Sequence, residues 1–492
     1  MLAGVLVLLA SACTNDEADA PASRAAPDAP NIVLITSDDQ AAMELRWMPQ
    51  TRRLLGRAGV TFDNMIAPHP NCCPARAQIV SGQYAHNNGV RTNSPPWGGH
   101  EGFDPATALP VWLQRAGYVT GLVGKYMHGY GEEDGIEPGW DRWGPVIGNI
   151  SDYRSFVQYR DGEVVKFRQK DYHTDVMAQQ SQELITDFAA GDKPFFLWAS
   201  FLAPHGTCRG SLASDCSGPP PAAKRHAGTL GDVRLPTLDS PSFNEPDISD
   251  KPPLPRYRTH LLPNVNNSEV NPLRAQRLFT QRIKALAALD EAVAGIVAAL
   301  EEAGELDNTV LMFTSDNGYM FGEHQQVGKN VPYEEAIRVP LVMRGPGIPA
   351  GERRSQTVAM IDFAPTITEL AGATAMRDMD GESLLPYAVS DKRQPDRALL
   401  LQAGSKDKVK ERAWKFRAVR TGRYTLVRWT EPNFRELYDR RRDPWQLTNV
   451  YDDPKYANVR NRLEEFLVDS LEDCVADDCR RPAPKLPRPG DS

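Results

Sequence analysis

The chain has 492 residues, too many for one small domain and enough for a large domain with a smaller one beside it. Hydrophobic residues at 41 % and charged residues at 24 % describe an ordinary soluble globular protein. A net charge of −8 at pH 7 argues against a nucleic-acid partner, because phosphates select basic surfaces.

Met1 to Ala12 is an uncharged apolar run that ends Ala10-Ser11-Ala12-Cys13, and a polar Ala/Pro-rich stretch follows from Thr14 to Pro30. A run this short cannot cross a bilayer as a helix, which takes roughly 20 residues. It reads as a signal peptide. The small residues before Cys13 resemble a bacterial lipoprotein cleavage site, although there is no basic leader and Ala10 stands where leucine is usual. The expectation is a signal or lipobox over 1–13, a flexible linker over 14–30, and an exported product. That product is either secreted or a cell-surface lipoprotein touching the membrane only through an anchor on Cys13. Four of the seven cysteines form two close pairs, Cys208 with Cys216 and Cys474 with Cys479, which suit local disulfides in an oxidising compartment. A zinc site is the competing reading, but the residues around Cys474 offer only acids.

In chain order, Asn31 to Thr36 is a continuous apolar run expected to be a strand buried on both faces of a parallel sheet. Met48 to Ala58 and Leu109 to Ala116 read as helices, and Gly59 is a natural stop for the first. Val119 to Val123 reads as a strand, Thr174 to Phe188 as a helix, and Pro194 to Phe201 as another buried strand. A Pro-rich excursion follows, with many of the 40 prolines between Pro204 and Pro272. The longest periodic helix is expected from Pro272 to Ala303, ending at Gly304, and the strand Thr309 to Thr314 comes next. This alternation implies an α/β fold around a mostly parallel sheet, over residues 31–385. Short β-branched and aromatic runs at Ala418 to Trp429 and Arg435 to Tyr438, then a helix near Val459 to Glu472, suggest a small α+β domain over 386–480. The Pro-rich tail, 481–492, is expected to be disordered.

Two strand ends carry the same chemistry. The first finishes Thr36-Ser37-Asp38-Asp39 and the late one Thr314-Ser315-Asp316-Asn317. Ligands in open α/β sheets sit at the carboxyl ends of strands. Four oxygen-bearing side chains, three of them anionic, suit a hard divalent cation, Ca²⁺ or alternatively Mg²⁺. Either pair alone would be read as an ordinary turn.

Cys72-Cys73-Pro74-Ala75-Arg76 fits the pattern C-x-P-x-R. Pro74 suits a first helical turn, which puts Cys72 at a helix N-terminus, where free N–H groups favour anions. Arg76 adds a forked, permanently charged donor suited to an oxyanion. A disulfide or a buried thiol is the structural alternative for these adjacent cysteines.

This motif resembles the signature of the formylglycine-dependent sulfatases. The resemblance extends through Asp38-Asp39, Gly124-Lys125-Tyr126, Ala203-Pro204-His205, Asp316-Asn317-Gly318, Gly322-Glu323-His324, Gly328-Lys329 and Glu436-Leu437-Tyr438-Asp439. The double cysteine and the Gly-Lys-Tyr block are most similar to the N-acetylglucosamine-6-sulfatase and arylsulfatase-like bacterial branch. The resemblance implies an alkaline-phosphatase-like sandwich. It also implies conversion of Cys72 to formylglycine by a formylglycine-generating enzyme, and Ca²⁺ held by Asp38, Asp39, Asp316, Asn317 and position 72. A hydrated aldehyde would attack a sulfate ester of a sugar or other small molecule. Arg76, Lys125, Lys329 and His205 would serve the reaction and His324 the substrate. His128 is a catalytic candidate displaced by one position, because Met127 stands where many relatives carry histidine. A phosphate or phosphonate ester hydrolase of the same fold is the nearest rival, and a surface carbohydrate-binding protein without activity is the other.

Overall fold

The computed structural model describes residues 29–148, 150–209, 215–228, 233–253, 269–390, 396–405, 414–430 and 432–490. The expected signal segment, Cys13 and nearly all of the linker lie outside the described residues.

The first seven strands are β1 (Asn31–Ser37), β2 (Val60–Ile66), β3 (Val119–Gly124), β4 (Arg142–Ile147), β5 (Val157–Arg160), β6 (Glu163–Lys166) and β7 (Phe195–Ser200). Next come β8 (Thr207–Arg209), β9 (Asp215–Gly218), β10 (Thr309–Ser315), β11 (Met320–Phe321) and β12 (Val327–Gly328). β13 (Arg338–Arg344), β14 (Glu352–Arg354) and β15 (Val358–Ala359) complete the larger part. β16 (Leu399–Gly404), β17 (Trp414–Arg420), β18 (Tyr424–Trp429) and β19 (Phe434–Asp439) form an antiparallel sheet near the C-terminus.

The large sheet runs β14-β2-β13-β10-β1-β7-β3-β4-β5-β6, with β15 also on β2. Its centre, β10-β1-β7-β3-β4, is parallel, while β13 is antiparallel to both β10 and β2. The apolar runs are continuous because these strands are covered on both faces, and the pleat sorts their side chains. Val33 and Ile35 pack with Leu197, Phe313 and the helices His173–Ala189 and Pro272–Glu302. Ile32 and Leu34 point the other way, with Trp198, Met312 and the helices Cys72–Ser81, Leu109–Arg115 and Phe363–Ala371. A third core joins the C-terminal sheet to Tyr84, Tyr333 and Ile337 of the larger part.

Several expectations differ in detail. The helix expected over Met48 to Ala58 is a short α-helical turn, Pro49–Thr51, that widens into a π-helix, Arg52–Gly56. The last helix is Ala457–Phe466 and also continues as a π-helix, Leu467–Leu471. The tail does not leave the molecule through residue 490. Pro482 bridges Arg397, the Ala483 N–H donates to the Asp396 carbonyl, and Ala483 and Leu486 pack on the C-terminal core. Its prolines suit an extended strap, with few N–H groups to satisfy. Cys474 and Cys479 are bonded, and Cys208 is also in a disulfide. The side chain of its expected partner, Cys216, lies outside the described residues.

Candidate active site

Four parallel strands end side by side in the order β10, β1, β7, β3, and each delivers part of one cluster. Asp316 and Asn317 follow β10, Asp38 and Asp39 follow β1, Ser200 ends β7 with His205 just beyond it, and Lys125 follows β3. Gly124 permits the last placement. It has φ +105°, and a Cβ there would lie 1.9 Å from the Ser200 carbonyl oxygen. With glycine, the Lys125 N–H donates to that same oxygen at 2.9 Å. Asp39 also takes a left-handed conformation, φ +64°, which aspartate tolerates better than most residues.

Cys72 opens the helix Cys72–Ser81, whose N-cap Asn71 accepts the Cys72 N–H at 3.2 Å. Present here as the encoded cysteine, Cys72 is buried, with its Sγ 2.9 Å from Lys329 Nζ, 3.5 Å from Lys125 Nζ and 3.7 Å from Asp38 Oδ1. Burial and Asp38 push its thiol up, but Lys125 and Lys329 outweigh them and bring it down to about 7. Its neighbour Cys73 is pushed up to about 12 by burial and faces away, accepting the His128 N–H at 3.0 Å.

The two lysines are tied to the carboxylates, Lys125 to Asp38 and Lys329 to Asp39. Burial works against charge on Asp38 and Asp39, but the surrounding lysines and His205 hold both carboxyls below their usual range. Asp316 goes the other way, pushed up to about 7 by burial and by Asp38 despite Arg76.

Arg76 is fully buried with its donors turned inward. Nε donates to Asp316 at 3.1 Å, Nη2 to Asp38 at 3.2 Å, and Nη1 to the Lys125 carbonyl at 2.7 Å and Ser200 Oγ at 2.6 Å. The oxyanion expected opposite Arg76 is replaced by the cluster's own carboxylates. Arg76 therefore fixes their positions.

Asp38, Asp39, Cys72 and His205 offer ligand atoms within 4.8 Å of one another. His205 joins this group through Nε2, 3.6 Å from Asp39, while its Nδ1 lies 2.6 Å from the Gly206 carbonyl. Asp316 and Asn317 adjoin it: Asp316 Oδ1 accepts the Asp39 N–H at 3.0 Å, and Asn317 Nδ2 donates to Asp39 at 2.8 Å. Asn317 Oδ1 is buried without a hydrogen-bond partner. Three buried carboxylates and a free amide oxygen are the donor set of a hard divalent cation, so these residues fit Ca²⁺.

Two sequence candidates make no hydrogen bond to this cluster among the described residues. His128 is half-buried, and desolvation of its ring together with Lys125 pushes the imidazole well below its usual range, towards the neutral form. Its Nε2 has no partner, and its backbone bonds Cys73 and His100. His324 has Nδ1 2.5 Å from Glu245 and its ring 4.4 Å from Tyr333, with Nε2 buried and unpaired. Part of the Pro-rich excursion reaches this turn: the Ser242 carbonyl accepts the His324 N–H at 2.7 Å, and Phe243 bridges Glu323. Sequence reasoning missed Ser200, Glu245 and Arg282. Arg282 donates to the carbonyls of Asp39 and Pro204. Only the position of Ser200 at a strand end could have drawn attention to it.

The sulfatase family profile matches residues 30–373, and the profile for the C-terminal part of N-sulphoglucosamine sulphohydrolase matches residues 322–473. An arylsulfatase of Chlamydomonas reinhardtii is 32 % identical over 97 % of this chain and 80 % of its own. Human N-acetylglucosamine-6-sulfatase is 33 % identical over 73 % of this chain and 64 % of its own. The extracellular sulfatase SULF-1 homolog of Drosophila melanogaster is 34 % identical over 77 % of this chain, which spans a third (33 %) of that longer protein. Among solved structures, one crystallised with its substrate D-glucosamine-2-N,6-O-disulfate superposes with a TM-score of 0.69 at 23 % identity, over 89 % of this chain and 97 % of that one. The phosphonate monoester hydrolase of Agrobacterium radiobacter shares the fold at a TM-score of 0.63 and 22 % identity, over 89 % of this chain and 95 % of that one.

Proposed function

Because the chain belongs to the sulfatase family, we propose that it hydrolyses sulfate monoesters of sulfated sugars, of the glucosamine-sulfate kind, after conversion of Cys72 to formylglycine. The observation that carries this reading is the setting of Cys72. Its Sγ sits at a buried helix N-terminus with two lysine ammonium groups at 2.9 and 3.5 Å, beside an acidic cluster. The names of the relatives support the substrate class.

When bound, Ca²⁺ held by Asp38, Asp39, Asp316, Asn317 and position 72 would supply positive charge for acidifying and orienting a hydroxyl of the hydrated aldehyde. The chain's own groups do the rest. Lys125 and Lys329 bind and orient the sulfate oxygens and balance charge that develops on them. His205 donates a proton from Nε2 to the leaving alcohol, while Nδ1 is anchored on the Gly206 carbonyl. Arg76 keeps Asp38 and Asp316 at a fixed separation. His324 holds the substrate at the rim, with its ring set by Glu245 and Tyr333. The local disulfide Cys474–Cys479 supports export to an oxidising compartment, with the apolar segment over 1–12 as the signal and Cys13 as the lipid-anchor site.

The test is mass spectrometry of the tryptic fragment Ala58–Arg76 from protein made in its native host. It is paired with release of anion from N-acetylglucosamine 6-sulfate, an aryl sulfate, an aryl phosphate and an aryl phosphonate. An aldehyde at position 72 and preference for the sulfates are expected. An unmodified thiol in active protein would overturn the formylglycine reading. Preference for phosphate or phosphonate would favour the chemistry of the Agrobacterium neighbour.

A further inference from the structure

A groove of about 760 Å³, whose lining shares no residue with the cluster, is floored by β2, β13 and β14. Its size is that of a ligand site, which takes roughly 300–1,000 Å³. One wall is the segment after Asp39, from Ala41 to Arg57, and Glu334 and Trp445 also line the groove. Ala41 stands two residues past Asp39, and the Glu335 carbonyl accepts the N–H of Tyr319, two residues past Asn317, so part of the groove lies near the ends of β1 and β10.

Its charges are unevenly neutralised. Arg46, Arg52 and Arg57 are exposed along the wall and make no ion pair among the described residues. The Arg46 guanidinium lies 4.8 Å over the Trp47 ring, and Arg52 Nη1 donates only to the Arg46 carbonyl at 3.2 Å. The groove's carboxylates are already engaged: Asp63 with Arg353, Glu352 with Arg354, and Glu334 with Arg420 and Arg440. Glu335 has its carboxyl pushed up to about 7 by burial and Glu323. Three uncompensated guanidinium groups thus line one wall of a protein whose net charge is −8. Trp445, which also lines the groove, is 42 % exposed and offers a flat apolar face.

We propose that this groove is an exosite for an internal stretch of a sulfated polysaccharide, separate from the crevice in which the ester is cleaved. The naming of the polymer rests on the sulfatase reading, while the binding chemistry rests on the groove alone. Sulfates repeat along such a chain and match forked guanidinium donors, and a polyanion gains further by releasing counterions. The exposed indole takes the apolar face of one sugar ring. Binding here raises the local concentration of chain near the crevice and leaves the chemistry unchanged.

The test uses the full chain and the triple substitution Arg46→Ser/Arg52→Ser/Arg57→Ser, with Trp445→Ala as a second variant that leaves the charge intact. Heparin binding is measured by calorimetry in a Cys72→Ala background over a series of NaCl concentrations. The triple variant is expected to bind roughly tenfold or more weakly, with a log–log salt slope shallower by about 2–3. In active protein, kcat/KM is expected to fall on heparin oligosaccharides and stay unchanged on N-acetylglucosamine 6-sulfate. Heparin binding equal in wild type and both variants would overturn the exosite. So would binding to vesicles of phosphatidylglycerol and phosphatidylcholine that the triple variant loses while keeping heparin. Should the sulfatase reading itself fail, no variant would cleave any sulfate ester, yet the calorimetry would still report on the groove.

Discussion

Arg282 reaches the crevice from the middle of the helix Pro272–Glu302, where it is buried with Glu44. Nε and Nη2 each donate to the Glu44 carboxylate at 2.8 Å, and the remaining donors hold the carbonyls of Asp39 and Pro204. The residues before His205 and the second carboxylate of β1 are thus clamped by one guanidinium. Removing one member of such a pair leaves a buried charge unmatched, which costs about 3–5 kcal/mol, whereas replacing both by apolar groups costs far less. Arg282→Ala is therefore expected to lower stability by about that amount in urea unfolding, and the double change Glu44→Leu/Arg282→Met to recover most of it. Equal losses in the two variants would show that the pair's partners matter less than the packing. The three carboxylates of Asp38, Asp39 and Asp316 and the amide of Asn317 were legible in the sequence because a repeated strand end announces them. Arg282, Ser200 and Glu245 were not, because each meets its partners only after distant segments pack, and nothing local marks a residue whose counterpart lies 238 positions away.

At the level of elements, the short helix Glu334–Ile337 connects the catalytic part to the C-terminal sheet. The Glu334 carboxylate accepts from Arg420 of β17 at 2.7 and 2.9 Å, and Arg440 stands at 3.3 Å. Burial alone would raise its pKa, but Arg420 and Arg440 outweigh it and bring the carboxyl down to about 2. A folded-state pKa below the ordinary 4.5 means stabilisation that is complete above pH 4.5 and lost as pH falls toward 2. The shift corresponds to a contribution on the order of 3 kcal/mol. Unfolding midpoints of Glu334→Gln should accordingly lie below wild type at pH 7 and converge with it as pH drops through this window. A constant gap would remove the ion pair as the cause. Among the strands, β1, β7 and β10 were readable as unbroken apolar runs because both their faces are covered. β2, β13 and β16 escaped notice, although β16 is buried throughout and, among the described residues, pairs only with β17. Their sequences mix polar and apolar residues or lack flanking turn signals, and their place is decided by neighbours far along the chain.

Over the whole molecule, the alternating pattern was enough to give the layered α/β architecture, and the change of texture after about Leu385 marked the second sheet. The order of the tail was not legible, since a Pro-rich segment without its own core reads as solvent-exposed until something is found to hold it. The proposed cation site exists only when β1 and β10 are assembled, so on that reading Ca²⁺ should stabilise the folded state by mass action. At a hundredfold excess over Kd the gain is about 2.7 kcal/mol, worth roughly 3 °C in Tm for a chain of this size. Chelator-treated protein titrated with Ca²⁺ should show that rise, while Asp39→Asn/Asp316→Asn should not. An equal response in both would place the cation elsewhere.

Cys72 is 1 % exposed, beneath side chains that include Lys329, more than half the chain further on. An enzyme that works on its thiol has to arrive while the later segments are still being made or still unfolded, because the finished structure closes over the sulfur. The yield of converted protein is then set by a race between two rates, oxidation of one residue and collapse of the domain around it. Slower folding, which usually harms a preparation, would here raise the fraction of molecules equipped to react.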